Sequence, residues 1–510
     1  MPTALSAWLG AARAGADAAA ASRAAAVAVR DAGGDGWAVV AQAGRLARCA
    51  AGVAERDLGL TAALRPVSPD HAQAVAQVSR GAPYPVPDRR GRRARGAWDT
   101  PPSLARAVVA AAISASDAPP TAGRDPACGT GAFLVALGEA GVERIEGGDL
   151  DGRALAVAAI AAPGAHLSLR SGFDPAPPVP VVVGNPPFVS PEHQDKALRA
   201  HLRARFPWLD RRFDLSVPFA AAALEGVQTR GGLGLVLPDA VLTQPYGQAL
   251  RRRWLAAHRL TWLRPAHAFP GVAVQVVGLA LRRDGDPGPL PPHGLDPAAL
   301  LRLPRAPLGD LLRPGDVALV ERVAAASVPL GELCEIDTGV VSHGPLGGKA
   351  RLLHDAPGPG RVPYVDARDL AQGRLRWLRY DPPSMHRAKR PGLFECDKLL
   401  VQRLRGRGPV RAWIDHDGRY AGHTLTVVRP LDGCPVPLER LHALLTSPLV
   451  DGLTRLSRGQ GLDLYPHDVA AIPVPRAWLT HPQLDLPEAL GLSSADAARL
   501  AAAAPDPAHR

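Results

Sequence analysis

Arg124-Asp125-Pro126-Ala127-Cys128-Gly129-Thr130-Gly131-Ala132-Phe133-Leu134 places a glycine-rich turn between a strand-like approach and a helix-like run at 132–139. Glycine lets the backbone turn sharply and come close to a ligand, and the first amides of a helix have no partner inside it. About 20 residues further on, after the apolar approach 142–145, Gly148-Asp149-Leu150-Asp151 supplies an acid where a ribose-binding carboxylate is needed. The spacing predicts a strand-turn-helix-strand unit with a ligand at its edge. Asp149 is the ligand residue, and Asp151 the cap of a helix over 153–162.

Outward from this unit, between 100 and 283, short Val/Leu/Ile runs alternate with amphipathic stretches, as at 179–183, 233–237 and 272–281. That alternation predicts β-α units and a largely parallel sheet. The run 179–183 reads as a buried strand and passes into Gly184-Asn185-Pro186-Pro187-Phe188. Two prolines in succession make a rigid turn there, at the carboxyl edge of the sheet where open α/β proteins hold their ligands.

The loop Asp125 to Gly131 resembles the S-adenosylmethionine loop of amino-group DNA methyltransferases, and Asn185-Pro186-Pro187-Phe188 resembles the signature of their N6-adenine members. Further elements follow in that family's order: Phe213-Asp214-Leu215, then Gly231 to Pro238, Leu242-Thr243, Tyr246-Gly247, and Ala268 to Gln275. With the cofactor loop before the catalytic motif, the order is that of the γ class. The resemblance implies an α/β, Rossmann-like, S-adenosyl-L-methionine-dependent fold over 81–283. The cofactor would lie on Asp125, Pro126, Ala127, Cys128, Gly129, Gly131, Asp149, Phe173 and Pro187. Thr100, in Trp98-Asp99-Thr100-Pro101-Pro102, would help hold the methionine end; from the residues alone, this Pro-Pro also reads as a helix start. The family's acid at the cofactor adenine aligns with Gly172, with Phe173 beside the adenine and Asp174 two residues beyond.

The chemistry explains the motif. An exocyclic amine on a base is a poor nucleophile because its lone pair is delocalised into the ring. The Asn185 side-chain oxygen and the Pro186 carbonyl can accept from both of its N–H groups and draw the nitrogen towards tetrahedral geometry. Phe188 and Phe269 would stack on a base extruded from the duplex, which the reaction requires. Cytosine C5 methylation needs a thiolate, usually after proline, and no cysteine here follows one. Cytosine N4 remains open.

The chain has 510 residues, with 53 Pro and 52 Gly, which excludes a helical bundle and points to more than one domain. Residues 1–80 read as a helical segment, 284–326 as a linker, 327–476 as an α+β module, and 477–510 as a helical tail. The module resembles the target-recognition domains of restriction-modification enzymes at 330–339, Val362-Pro363-Tyr364-Val365, 399–403, 444–449 and 464–475. A net charge of +11 favours a polyanionic partner, here double-stranded DNA. Candidate phosphate contacts are Arg89 to Arg95, His386, Arg387, Lys389, Arg390, Arg403, Arg405, Arg407 and Arg411, with a solvated basic face the ordinary reading for most of them. Five cysteines without a Cys-x-x-Cys pair argue against a zinc ribbon or disulfide framework. No membrane association is expected, and a cytoplasmic location is.

The resulting expectation is a site-specific DNA adenine-N6 methyltransferase of a restriction-modification or related defence system, with any restriction endonuclease a separate partner. The alternatives are a catalytically degenerate DNA-binding subunit, or a methyltransferase acting on RNA or protein glutamine.

Overall fold

A computed structural model describes residues 100–505, apart from 163, 267–274, 304, 309–310, 342–351, 386–387, 404–407 and 460–462. The helical segment expected at 1–80, the basic run 89–95, Phe269, His386, Arg387, Arg405 and Arg407 lie outside the described residues. The chain divides into two units between Leu301 and Arg302.

The first unit is built on β1 (Ala122–Asp125), β2 (Arg144–Asp149), β3 (His166–Leu169), β4 (Val179–Gly184), β5 (Val227–Pro238), β6 (Arg259–Ala266) and β7 (Val276–Arg282). These form one seven-stranded sheet in the order β3-β2-β1-β4-β5-β7-β6. The pairs among β1 to β5 are parallel, and β7 runs antiparallel to both its neighbours. Strand β4 is buried along its whole length, as its unbroken valines require of a central parallel strand. Pro180, which cannot donate to a ladder, coincides with a register shift between Val179 and Val181.

Helices α1 (Pro102–Ala115), α2 (Ala132–Glu139), α3 (Gly152–Ala161), α4 (Lys196–Arg205), α5 (Ser216–Glu225) and α6 (Gln248–Ala257) connect or cover the strands. Helix α1 buries Val108, Val109 and Ala112 with Leu137 of α2 and Val181 and Val183 of β4. Its start is the expected one: Pro102 occupies the first turn and the Pro101 carbonyl accepts the amides of Leu104 and Ala105, each at 3.0 Å.

Part of the segment that composition reads as a linker is helical. A helix covers Pro297–Arg302, its first turn held by Asp296, which accepts from Ala298 at 3.0 Å and Ala299 at 3.3 Å. Helix α7 (Asp316–Ala325) follows Gly315 and buries Val317, Leu319, Val320 and Val323. The Gly and Pro residues that suggest a connector mark helix starts here.

The second unit contains two four-stranded sheets, β10-β12-β11-β15 and β14-β13-β16-β9, and the pair β17-β8. Their strands are β8 (Ser327–Pro329), β9 (Cys334–Thr338), β10 (Leu353–His354), β11 (Arg361–Val365), β12 (Arg376–Arg379), β13 (Lys398–Gln402), β14 (Ala412–Asp415), β15 (Tyr420–Ala421), β16 (Leu425–Pro430) and β17 (Pro473–Pro475). Alternation along β13 and β16 feeds two cores. Leu399, Val401 and Val428 join Leu330 and Trp478 on one side, while Leu400 and Val427 join Tyr364 and Tyr420 on the other. In the tail, α8 (Ser494–Ala503) is anchored through Arg499, which pairs with Asp316 of α7 at 2.5 Å. Among the described residues no helix is long and apolar enough to cross a membrane.

Candidate active site

The turn after β1 sits at the carboxyl edge of the sheet. Gly129 and Gly131 have φ of 52° and 95°, a left-handed conformation that side chains disfavour. Gly131 caps α2 without any side-chain cap, so the helix presents its first amides to the edge. The loop is closed by Gly131 N–H to the Cys128 carbonyl at 2.8 Å and Cys128 N–H to the Gly148 carbonyl at 2.9 Å. Around the position of a Gly129 β-carbon there is open space, as a turn facing a ligand requires.

Two carboxylates flank this turn. Asp149, at the end of β2, accepts the Gly129 amide on Oδ2 and the Asp151 amide on Oδ1, both at 2.8 Å. A carboxylate oxygen can accept more than one hydrogen bond, so hydroxyls can join these amides. Burial raises its pKa, against the pull of those two amides. Asp125 is buried at the end of β1, where Oδ1 accepts the Ala127 amide at 3.0 Å. Burial, with the negative Asp149 adding to it, pushes its carboxyl up to about 8. The Cys128 thiol is raised by the same burial and packs beside Leu134, Leu155 and Leu167.

The second expected motif starts against the first. A β-carbon at Gly184 would lie 2.9 Å from Asp125 Oδ1, so the turn Asn185-Pro186-Pro187-Phe188 leaves β4 alongside that carboxylate. Pro186 is buried; Asn185, Pro187 and Phe188 are half-buried, and Asn185 Oδ1 is shielded from solvent. Behind Phe188, the Val189 carbonyl accepts from the Leu215 amide at 3.0 Å and from Gln194 Nε2 at 2.8 Å. Gln194 Nε2 also donates to the Phe213 carbonyl at 2.7 Å, clamping the Phe213-Asp214-Leu215 segment to the turn. Asp214 accepts from Ser216 N–H at 3.0 Å and Oγ at 2.6 Å at the start of α5, and burial lifts its carboxyl to about 6. Asp239, after β5, is lifted to about 6 by burial as well.

The structure thus brings together Asp125, Pro126, Ala127, Cys128, Gly129, Gly131, Asp149 and the Asn185 turn. Thr100 is buried immediately before α1. Phe173 lies edge-on to Phe219, ring centroids 5.4 Å apart. Asp174 is turned to local use, its Oδ2 accepting the Ser171 amide at 3.0 Å. Sequence reasoning missed Gln194, whose role depends on contacts distant along the chain. It also missed Leu150, an apolar residue beside Asp149 that remains 74% exposed. In the second unit, Lys389 and Arg390 pair with Asp337 and Glu335, and the Arg403 guanidinium stands 5.4 Å from the Tyr465 ring centre. Arg411 is exposed.

Residues 168–264, from β3 through the Asn185 turn into β6, match the Eco57I restriction-modification methylase family. This match lies wholly within the first unit. Over 70 residues the chain is 37% identical to the Type II methyltransferase M.PaeR7I of Pseudomonas aeruginosa, covering 14% of this chain and 12% of that protein. To M.XhoI of Xanthomonas vasicola it is 41% identical over 70 residues, covering 14% and 13%. These matches therefore span about an eighth of the relatives' length. The Type IIL restriction-modification enzyme MmeI, solved in complex with DNA, shares the fold with a TM-score of 0.55 at 12% identity, over 85% of this chain and 78% of that one. The first unit has the Rossmann-like α/β fold expected from its sequence, and the second unit is of mixed α+β build.

Proposed function

We propose that this chain transfers a methyl group from S-adenosyl-L-methionine to N6 of an adenine swung out of duplex DNA, in a restriction-modification or related defence system. The observation that carries the reading is the meeting of the two motifs, with Gly184 of the Asn-Pro-Pro-Phe turn against the Asp125 carboxylate of the glycine turn.

The residues suit the cofactor. The left-handed glycine turn opens on unfilled space, and the acids Asp125 and Asp149 flank it. Asp149 would take the ribose hydroxyls, and Asp125 with the 126–131 backbone the cationic methionine end, with Thr100, Phe173 and Pro187 completing the site. When bound, the sulfonium supplies an electrophilic methyl carbon. Asn185 Oδ1 and the Pro186 carbonyl accept the two N–H groups of the adenine amine, concentrating its lone pair on nitrogen and aiming it. Phe188 and Phe269 hold the extruded base by stacking. The proline pair fixes both acceptors before the base arrives, and Gln194 braces the turn from behind. The +11 charge assists approach to the phosphate backbone.

The test is labelled methyl transfer from S-adenosyl-L-methionine to mixed-sequence duplex DNA, beside RNA and protein substrates, with the modified base identified after digestion. The expected product is N6-methyladenine, abolished by Asn185→Ala. Label on cytosine N4 would overturn the base assignment. Transfer to RNA or protein alone would overturn the DNA reading, and DNA binding without transfer to any substrate would point to a degenerate subunit.

A further inference from the structure

The end of β3 borders a cavity that the mechanism above does not use. It measures about 650 Å3 and is lined by Ser171, Phe173, Asp174, Leu198, His201 and Arg205. The loop that forms it abuts the cofactor turn, because a β-carbon at Gly172 would lie 2.7 Å from the Pro126 carbonyl oxygen. The same β-carbon would lie 2.5 Å from Cε2 of Phe219. The space into which a side chain at 172 would grow is filled by that ring.

The neighbouring acid is committed to its own turn. Asp174 Oδ2 accepts the Ser171 amide at 3.0 Å, and its carbonyl accepts from the Arg170 guanidinium at 3.0 Å. Phe173 is fixed between the Phe219 ring and Arg205, which donates to the Phe173 carbonyl and pairs with Glu225 at 2.5 Å. On the adjacent strand end, Leu150 is 74% exposed next to Asp149. Asp149 pairs with Leu169 at the end of β3, four residues before Phe173, so the strand end that carries Asp149 and Leu150 lies beside the loop that carries Phe173 and the cavity.

Resting on the cofactor reading above, we propose that this chain holds the cofactor's purine by apolar contact without reading its 6-amino group through a carboxylate, and that the cavity beside Phe173 receives substituents carried on that amine. A buried carboxylate paired with the amine would make a deaminated cofactor bind poorly, since replacing the amine by a carbonyl leaves the acid facing an acceptor. Leucine and phenylalanine make no such distinction.

Calorimetric titration of the full chain with S-adenosyl-L-homocysteine, S-inosyl-L-homocysteine and N6-benzyl-S-adenosyl-L-homocysteine tests both halves. Both analogues are expected to bind within about tenfold of the parent, less than the loss of a charge-assisted hydrogen bond imposes. A loss of more than about tenfold for the inosyl compound overturns the first half, and a like loss for the benzyl compound overturns the second. His201→Trp, at an exposed position lining the cavity, is expected to weaken the benzyl compound alone. An unchanged benzyl affinity in that variant removes the cavity from the account. Failure of S-adenosyl-L-homocysteine itself to bind overturns the cofactor reading and this inference with it, whereas parent binding with analogue rejection overturns this inference only.

Discussion

The ring of Phe219 in α5 lies behind Gly172 at the end of β3, where a β-carbon would fall 2.5 Å from Cε2 and 2.7 Å from Cζ. A ring edge can swing aside, but the same β-carbon meets the Pro126 carbonyl at 2.7 Å, and that carbonyl belongs to the glycine turn after β1. Gly172→Ala is therefore expected to destabilise the first unit by about 1–3 kcal/mol, as overpacking does. Adding Phe219→Leu should recover part of the loss by relieving one of the two clashes. Urea unfolding of the unmodified chain and the two variants measures this; an unchanged midpoint in Gly172→Ala would mean that the loop yields freely.

Asp125 gives the site a pH dependence. Its carboxyl, raised from the usual 3.8 to about 8 by burial, keeps a proton that the unfolded chain releases, so its contribution to stability falls as pH rises between about 4 and 8. A cationic ligand reverses the preference by favouring the ionised acid. Affinity for S-adenosyl-L-methionine should accordingly rise with pH towards 8 and then level, and binding at pH 7 should release a proton. Calorimetry at pH 7 in phosphate and in Tris, whose ionisation heats differ, should give different apparent enthalpies, with the difference reduced in Asp125→Asn. Equal enthalpies in the two buffers for the unmodified chain would sink the prediction.

The core of the first unit was legible because its signals are local. Unbroken valines at 179–183 mark a strand buried on both faces, and the Gly129 and Gly131 turn marks a strand-to-helix handover. Strand order was not legible: nothing in the 276–282 run states that it inserts antiparallel between β5 and β6, because pairing is chosen by partners remote in sequence. The expected linker was misread for a related reason. Pro297 and Gly315 punctuate helix starts as readily as loops, and only the buried face of 316–325 separates the two. Within the candidate site, the motifs identified their own residues, whereas Gln194 acts through carbonyls of Val189 and Phe213 that no spacing rule connects.

Gln194 should behave as a positioning residue. Its buried Nε2 holds the carbonyls that follow the Asn185 turn and precede Asp214, and its own surroundings are closed to water. Gln194→Leu keeps the volume and removes both bonds, leaving two buried acceptors less well satisfied at roughly 1–3 kcal/mol. Methyl transfer should fall mainly in kcat, with KM for S-adenosyl-L-methionine little changed, since the glycine turn proposed to hold the cofactor is tied separately through Asp149 and Gly129. A rise in cofactor KM with unaltered kcat would contradict this division.

In the second unit, Lys398 and Asp415 face each other across β13 and β14 as an ion pair with no solvent exposure on either side chain. Lys398 Nζ also donates to the carbonyls of Phe394 and Cys396, the latter at 3.3 Å, and Asp415 Oδ2 accepts the Arg419 amide at 3.0 Å. Two charges taken fully out of water gain little over well-packed apolar side chains, but one left alone is costly. Lys398→Met should therefore cost about 3–5 kcal/mol, while Lys398→Met with Asp415→Leu should be less destabilised than that single variant. The residual cost in the double variant would reflect the Arg419 amide and guanidinium, which lose their acceptor, and the Phe394 and Cys396 carbonyls, which lose a donor. Thermal unfolding of the second unit in the single and double variants decides the matter: a double variant less stable than Lys398→Met would mean that the pair, with its carbonyl partners, contributes net stability despite its burial.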